Sequence, residues 1–108
     1  MRDLVRRVLE RYGYHVLVAS TPGEAVQMAG RTTRIIHLLL SDLILPEMSG
    51  RTMASLIVRS RPGTKVLYMS GYVDEAVLNH GFLGEGIALL QKPFTPDVLA
   101  RKVREVLG

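Results

Sequence analysis

The chain has 108 residues, 47% of them hydrophobic, and this length and composition fit one soluble domain with a modest core. Lys and Arg number 14 against 10 Asp and Glu, but the resulting charge of +4 is scattered along the chain. The one local basic cluster (Arg2, Arg6, Arg7, Arg11) has no aromatic residues between its members, so nucleic acid is not a favoured partner. The absence of cysteine excludes disulfides and thiolate chemistry. Because no apolar run approaches the roughly 18 residues of a bilayer span, we expect a cytoplasmic protein with no membrane segment.

The first part of the chain predicts two helices and two strands in alternation. Apolar residues at helical spacing before Gly13 predict a helix over 2–12, and "HVLVA", 15–19, predicts a short strand. "TPGE", 21–24, has the Thr, Pro and Glu of a helix start, which predicts a helix to about Gly30. "IIHLLLS", 35–41, lacks polar alternation, as expected of a strand covered on both faces.

The second part continues the alternation. A third helix is predicted from about Gly50 to Arg61, with Met53, Leu56 and Ile57 buried. "KVLYMS", 65–70, predicts a strand, "DEAVLNHG", 74–81, a short helix, and "IALLQ", 87–91, a fourth strand. "TPDVLARKVREVLG" repeats the Thr-Pro helix start and predicts an apolar stripe (Val98, Leu99, Val103, Val106, Leu107). The order α-β-α-β-α-β-α-β-α indicates a parallel sheet with helices on both faces.

Polar groups stand at the carboxyl ends of three predicted strands, where parallel α/β sheets form their sites. Asp42 follows the second strand, Ser70 closes the third and Lys92 follows the fourth. A carboxylate can attack a phosphoryl group, a hydroxyl can hydrogen-bond a phosphoryl oxygen, and an ammonium can neutralise its charge. An aspartyl phosphate on Asp42 would be the product.

Three motifs in this order resemble the receiver domains of two-component response regulators. They are "SDLILPEMSG", "YMSGY" and "LLQKPF", and the resemblance covers essentially the whole chain, 1–108. The last two look most like receivers of hybrid sensor histidine kinases. The resemblance implies the flavodoxin-like, doubly wound parallel sheet of receiver (CheY-like) domains. It also implies phosphorelay signalling with a sensor histidine kinase or phosphotransfer domain as partner, rather than a conventional enzyme.

The resemblance also implies roles for individual residues. Asp42 would be the phosphoacceptor, Ser70 the switch hydroxyl and Lys92 the residue that pairs with the phosphate. The bond before Pro93 would be cis. Magnesium would be bound by the Asp42 carboxylate and the backbone carbonyl of Ile44.

Two features depart from the receiver pattern. Leu89 stands where the family usually has an aromatic switch residue, and Tyr72 is a candidate to take over part of that role. In addition, the family begins with a central strand that ends in an acidic pair, and this chain begins inside the first helix. The acidic pair is therefore absent, since Asp3 and Glu10 lie on that helix, and we expect weak or lost magnesium binding and four strands instead of five.

Three explanations of the missing strand stay open at this stage. The chain is an N-terminally truncated receiver with a misassigned start, or "HVLVA" pairs directly with "IIHLLLS", or exposed strand edges form a homo-oligomer. The alternative function is a pseudo-receiver that acts as a phosphorylation-independent interaction or dimerisation module. A haloacid-dehalogenase-type phosphatase is disfavoured, because such enzymes have a second Asp where this chain has Ile44.

Overall fold

The fold is a parallel sheet with helices on both faces, seen in a computed structural model that describes residues 2–42, 45, 48–70 and 88–108. The helices are α1 (Arg2–Arg11), α2 (Pro22–Arg31), α3 (Gly50–Ser60) and α4 (Pro96–Leu107), and the strands are β1 (Leu38–Asp42), β2 (Lys65–Ser70) and β3 (Ala88–Gln91). The helix predicted at 74–81 and the first residue of the strand predicted at 87–91 lie outside the described residues. No described helix combines the length and apolar character needed to cross a membrane.

The sheet has the order β1-β2-β3, and both pairs of strands are parallel, which confirms the predicted α/β class. Asp42 lies opposite Met69 in the register of β1 and β2, and Ser70 lies opposite Gln91 in that of β2 and β3. All three strands therefore end at the same rim of the sheet.

Side chains that alternate along β2 belong to two hydrophobic layers. Leu67 and Met69 pack in the core that contains the buried residues of α1 and α4, whereas Tyr68 packs against Ala54 of α3. A third cluster (Ala29, Met53, Ile57) joins α2 to α3. Since successive side chains of a strand point to opposite faces, α1 and α4 cover one face of the sheet and α3 covers the other.

Capping hydroxyls fix three of the helix starts. Thr21 accepts a hydrogen bond from the Glu24 backbone at 3.1 Å, and Thr95 accepts one from the Val98 backbone at 3.2 Å. Ser49 does the same for Thr52 at 3.1 Å. Each hydroxyl satisfies a backbone N–H that the helix itself leaves without a partner. The Thr-Pro pattern in the sequence thus predicts the starts of α2 and α4 correctly.

Arg61, just after α3, anchors the segment between α2 and β1. Its guanidinium donates to the carbonyls of Ala29 at 2.6 Å and Arg34 at 3.0 Å, and also to that of Thr32. The fork of donors on one planar group can serve several carbonyls together. Through these bonds α3 fixes the entry into β1, and hence the position at which β1 ends on Asp42.

The strand predicted at 15–19 is wrong. This segment is not a strand in the structure, and none of the described strands pairs with it. Tyr14 and Val16 nevertheless pack on the core of α1 and α4, while Leu17 is 47% exposed. The apolar pattern therefore predicted partial burial, but a strand also requires a neighbour with which to exchange backbone hydrogen bonds.

Smaller differences concern boundaries and burial. β1 begins at Leu38, three residues after the predicted start, and Ile35 is 77% exposed. Met53 and Ile57 are buried as predicted, but Leu56 is 40% exposed and Val98 is 42% exposed. Both exposed residues lie at the border of an apolar stripe, where the helical period alone does not decide between core and solvent.

Candidate functional site at the carboxyl rim of the sheet

The rim of the sheet brings together the polar groups singled out in the sequence. Asp42 is the last residue of β1, Ser70 the last residue of β2, and Lys92 follows the end of β3. The three residues are far apart in the chain, and only the parallel arrangement of their strands makes them neighbours.

Lys92 and Asp42 form an ion pair, in which the Lys92 ammonium donates to Oδ1 of Asp42. The Asp42 side chain is 40% exposed and that of Lys92 is 23% exposed. The carboxylate is thus held by a cation and remains accessible to a reactant from solvent. A carboxylate in this position can act as a nucleophile towards a group that approaches from solvent.

Ser70 is connected to Lys92 through the backbone. The Lys92 N–H donates to the Ser70 carbonyl at 2.8 Å, which extends the pairing of β2 and β3 by one bond beyond the strands. Ser70 is buried, with 6% of its surface exposed. The end of β2 and the loop that carries the ammonium are therefore fixed relative to each other.

The remaining predicted site residues are located as follows. The Lys92–Pro93 peptide bond is cis. Leu89 lies in β3 opposite Tyr68 of β2 and packs in the same small cluster. Tyr72 and Ile44 lie outside the described residues.

Magnesium has few donors at this rim within the part of the chain that the structure describes. One carboxylate, that of Asp42, is present there, and it is already paired with Lys92. No group of three or more His, Asp or Glu residues that could hold a metal ion occurs among the described residues. Since magnesium requires about six oxygen ligands in octahedral geometry, this donor set does not by itself make a magnesium site.

Tyr68 is a residue near the rim that the motifs did not identify. It is buried in β2 and lines a groove between β2 and α3 together with Arg51, at the start of α3. Burial raises the pKa of the Tyr68 phenol, and the nearby positive charge of Arg51 opposes that rise. A contact between a strand residue and a helix residue 17 positions earlier leaves no local pattern in the sequence.

The chain matches known proteins over nearly its whole length. The family model "Response regulator receiver domain" matches residues 1–104. The sensor kinase CckA of Brucella abortus is 30% identical over 94% of this chain, which spans 11% of that protein. The response regulator receiver protein CpdR of the same organism is 26% identical over 99% of this chain and 88% of its own length.

A solved structure adds a comparison of the fold. The receiver domain of the hybrid histidine kinase CckA superimposes with a TM-score of 0.80 and 29% identity, over 99% of this chain and 89% of that domain. Sequence and fold therefore agree over nearly all of the chain, including the strands at whose ends Asp42, Ser70 and Lys92 lie. On these grounds the chain belongs to the response regulator receiver domain family.

Proposed function

We propose that this receiver domain accepts a phosphoryl group on Asp42 from a phosphohistidine of a sensor histidine kinase or a phosphotransfer domain. The observation that carries the proposal is the ion pair of Asp42 and Lys92 beside the end of β2, on an accessible rim. The similarity to receivers of the hybrid-kinase type supports a partner of this class. We place the reaction in the cytoplasm and assign no conventional enzyme activity to the domain.

The proposed step transfers one phosphoryl group without net redox change. An oxygen of the Asp42 carboxylate attacks phosphorus, the P–N bond of the phosphohistidine breaks, and the leaving imidazole keeps the electron pair and is protonated by water. The Lys92 ammonium then faces the charge of the phosphoryl oxygens, and Ser70 offers a hydroxyl donor to one of them. Magnesium would bind through Asp42 and Ile44, and we expect that binding to be weak.

The test is phosphorylation by a small phosphodonor such as acetyl phosphate in the presence of magnesium, followed by intact-mass measurement. The wild-type protein should gain one phosphoryl group, and Asp42→Asn should gain none. Asp97→Asn is the matched control, because it removes an exposed carboxylate at the start of α4. Incorporation that persists in Asp42→Asn, or disappears in Asp97→Asn, would contradict the assignment.

A second candidate function is a pseudo-receiver that binds protein partners without phosphorylation. It is favoured by the single carboxylate that the described residues offer at the rim, which leaves few ligands for magnesium. In that case the wild-type mass stays unchanged with acetyl phosphate, and Asp42→Asn leaves partner binding unaltered. Phosphoryl incorporation at Asp42 would exclude this alternative.

We also propose that β1 supports self-association. Among the described strands β1 pairs with β2 alone, and the His37 carbonyl points towards β2, where it accepts from the Lys65 backbone at 3.1 Å. Backbone groups alternate in direction along a strand, so those of Leu38 and Leu40 point away from β2. An apolar strand with such an edge favours pairing with another chain.

A further inference from the structure

The fold gathers positive charge, which is scattered in the sequence, at the end of the sheet where the strands begin. This end, the amino rim, is remote from Asp42. Each of three helices has an arginine in its last turn, namely Arg31 in α2, Arg59 in α3 and Arg104 in α4. Arg61 joins the ends of α2 and α3, and Lys65, the first residue of β2, donates to Leu107 at the end of α4. All three helices therefore end at the amino rim.

Few carboxylates oppose these cations. Residues 25–73 of the sequence include two acidic residues, Asp42 and Glu47, and Asp42 lies at the opposite rim. On α4, Glu105 lies near the helix end, but it is paired with Lys102 at 3.4 Å. The charge at the amino rim is therefore mostly of one sign.

The tendency of helix ends to attract basic residues does not account for all of this charge. The end of a helix carries only about half an elementary negative charge, less than one nearby cation supplies. Arg34 and Lys65 are exposed and belong to no helix. We call the whole set the basic rim: Arg31, Arg34, Arg59, Arg61, Lys65 and Arg104. None of its members forms an ion pair with a carboxylate among the described residues, so its charge is available to a partner.

A shallow groove of about 380 Å³ lies within the basic rim. It is lined by basic and apolar side chains, among them His37, Arg61, Lys65, Ile35, Pro62 and Leu107. No Asp or Glu is among the described residues that line it. Ile35 is 77% exposed and places a large apolar side chain beside the cations. The groove thus offers both positive charge and apolar surface to whatever occupies it.

This combination favours an acidic segment of a protein over other anions. The groove is open, whereas sites for small molecules usually enclose most of the ligand. A nucleic acid would supply phosphates but no apolar side chain for Ile35, and no aromatic residue lines the groove for base stacking. A flat anionic membrane would meet the protruding cations and leave the concave part empty. An acidic peptide with apolar residues complements both the charge and the apolar lining.

We propose that this groove binds an acidic, partly apolar segment of a partner protein. The carboxylates of the segment lie against the basic rim, and an apolar side chain packs beside Ile35. The site goes beyond the proposed phosphorylation and does not depend on it, because Asp42 lies at the other end of β1. A partner bound at the amino rim leaves Asp42 accessible.

The experiment measures fluorescence anisotropy of a peptide of alternating leucine and glutamate that carries a neutral dye. Binding to the wild-type chain should weaken as salt rises, and the leucine–glutamine counterpart should bind less tightly. We expect Lys65→Met and Arg34→Met each to weaken binding about two- to fivefold, and the double variant by about the product. Arg51→Met, at the opposite end of α3, is the control with equal loss of charge. Ile35→Ser should weaken binding at every salt concentration, unlike Leu56→Ser on the exposed side of α3.

The outcomes separate this inference from the proposed function. A wild-type chain that does not bind the peptide, or a double variant that binds it as Arg51→Met does, overturns the inference. So does tighter binding of a DNA duplex or of phosphatidylserine vesicles, or a wild-type dimer that Lys65→Met abolishes in light scattering, since the partner is then of another class. Asp42→Asn should bind the peptide as wild type does. A chain that binds the peptide at the basic rim and gains no mass with acetyl phosphate overturns the proposed function alone.

Discussion

At the scale of single residues, the rim depends on one ion pair of modest energetic value. Asp42 and Lys92 are both partly exposed, and pairs of this kind contribute about 0–1 kcal/mol to the free energy of unfolding. The small gain in stability does not explain the pair. The chemistry that an ammonium permits beside a carboxylate explains it better. Positions at strand ends predicted this pair, because parallel strands bring their carboxyl ends together.

The Lys92→Met substitution should show whether the ion pair contributes mainly to stability or mainly to phosphorylation. We expect the free energy of unfolding in urea to change by less than about 1 kcal/mol, and the rate of phosphorylation by acetyl phosphate to fall at least tenfold, because the cation facing the phosphoryl oxygens is lost. The control is Lys102→Met, which removes the exposed pair of Lys102 with Glu105 at 3.4 Å. Equal phosphorylation rates in wild type and Lys92→Met would remove Lys92 from the reaction.

Tyr68 leads to a prediction about pH. Its pKa is raised in the folded chain by burial, so folding favours the protonated phenol. In the unfolded chain the phenol has a pKa of about 10, and below that pH the stabilisation is fully present. It is lost as the pH rises through the higher pKa that the phenol has in the folded chain. The free energy of unfolding should therefore fall above about pH 10, and Tyr68→Phe should flatten that fall. Parallel urea titrations of the two proteins from neutral to alkaline pH measure the difference, and coincident slopes would contradict it.

At the scale of elements, the sequence predicted where helices begin better than it predicted which segments form strands. Thr21 and Thr95 act within one turn of their helices, so their patterns locate α2 and α4 in the sequence itself. The segment 15–19 has the apolar residues of a strand and fails to form one, because pairing depends on a neighbour that its own residues cannot specify. Arg51 and Tyr68 escaped prediction for the same reason, since their contact is made across elements.

Arg61 offers a test of how the elements are held together. Arg61→Ala should lower the free energy of unfolding by about 1–3 kcal/mol, because carbonyls at the end of α2 and in the segment before β1 lose a charged donor. Arg61→Lys should recover only part of that loss, since one ammonium cannot reproduce the planar fork. Urea unfolding measures both variants, and Arg59→Ala, on the exposed side of the last turn of α3, is the control. An Arg61→Ala protein as stable as this control would mean that the three contacts do not stabilise the segment.

At the scale of the whole molecule, the outer side of β1 is poorly protected compared with the other strands that the structure describes. The residues Leu38, Leu39 and Leu40 are only partly buried, whereas the last four residues of β2 are all buried. Natural sheets commonly protect such an edge with charge, proline or a bulge. The apolar sequence of β1, by contrast, is typical of a strand with neighbours on both sides.

Self-association through this edge should depend on Ile35, which is 77% exposed close to the start of β1. We expect the wild-type chain to show a mass above that of a monomer in light scattering at high concentration, and Ile35→Lys to shift it towards the monomer. Leu56→Lys, a similar change at a residue of α3 that is 40% exposed, should leave the distribution unaltered. If both variants associate as wild type does, the contact between copies lies elsewhere on the surface.

The contact between Lys65 and the end of α4 fixes the position of Gly108, and therefore the direction in which a tether joined to Gly108 leaves the molecule. The Lys65 ammonium donates to the Leu107 carbonyl at 3.2 Å, so Gly108 lies beside the first residue of β2, while Ser70 is the last residue of that strand. The strand is about 16 Å long at roughly 3.3 Å per residue. A tether or dye joined to Gly108 therefore leaves from the side of the sheet remote from Asp42. Immobilised protein would keep the Asp42 carboxylate open to solvent.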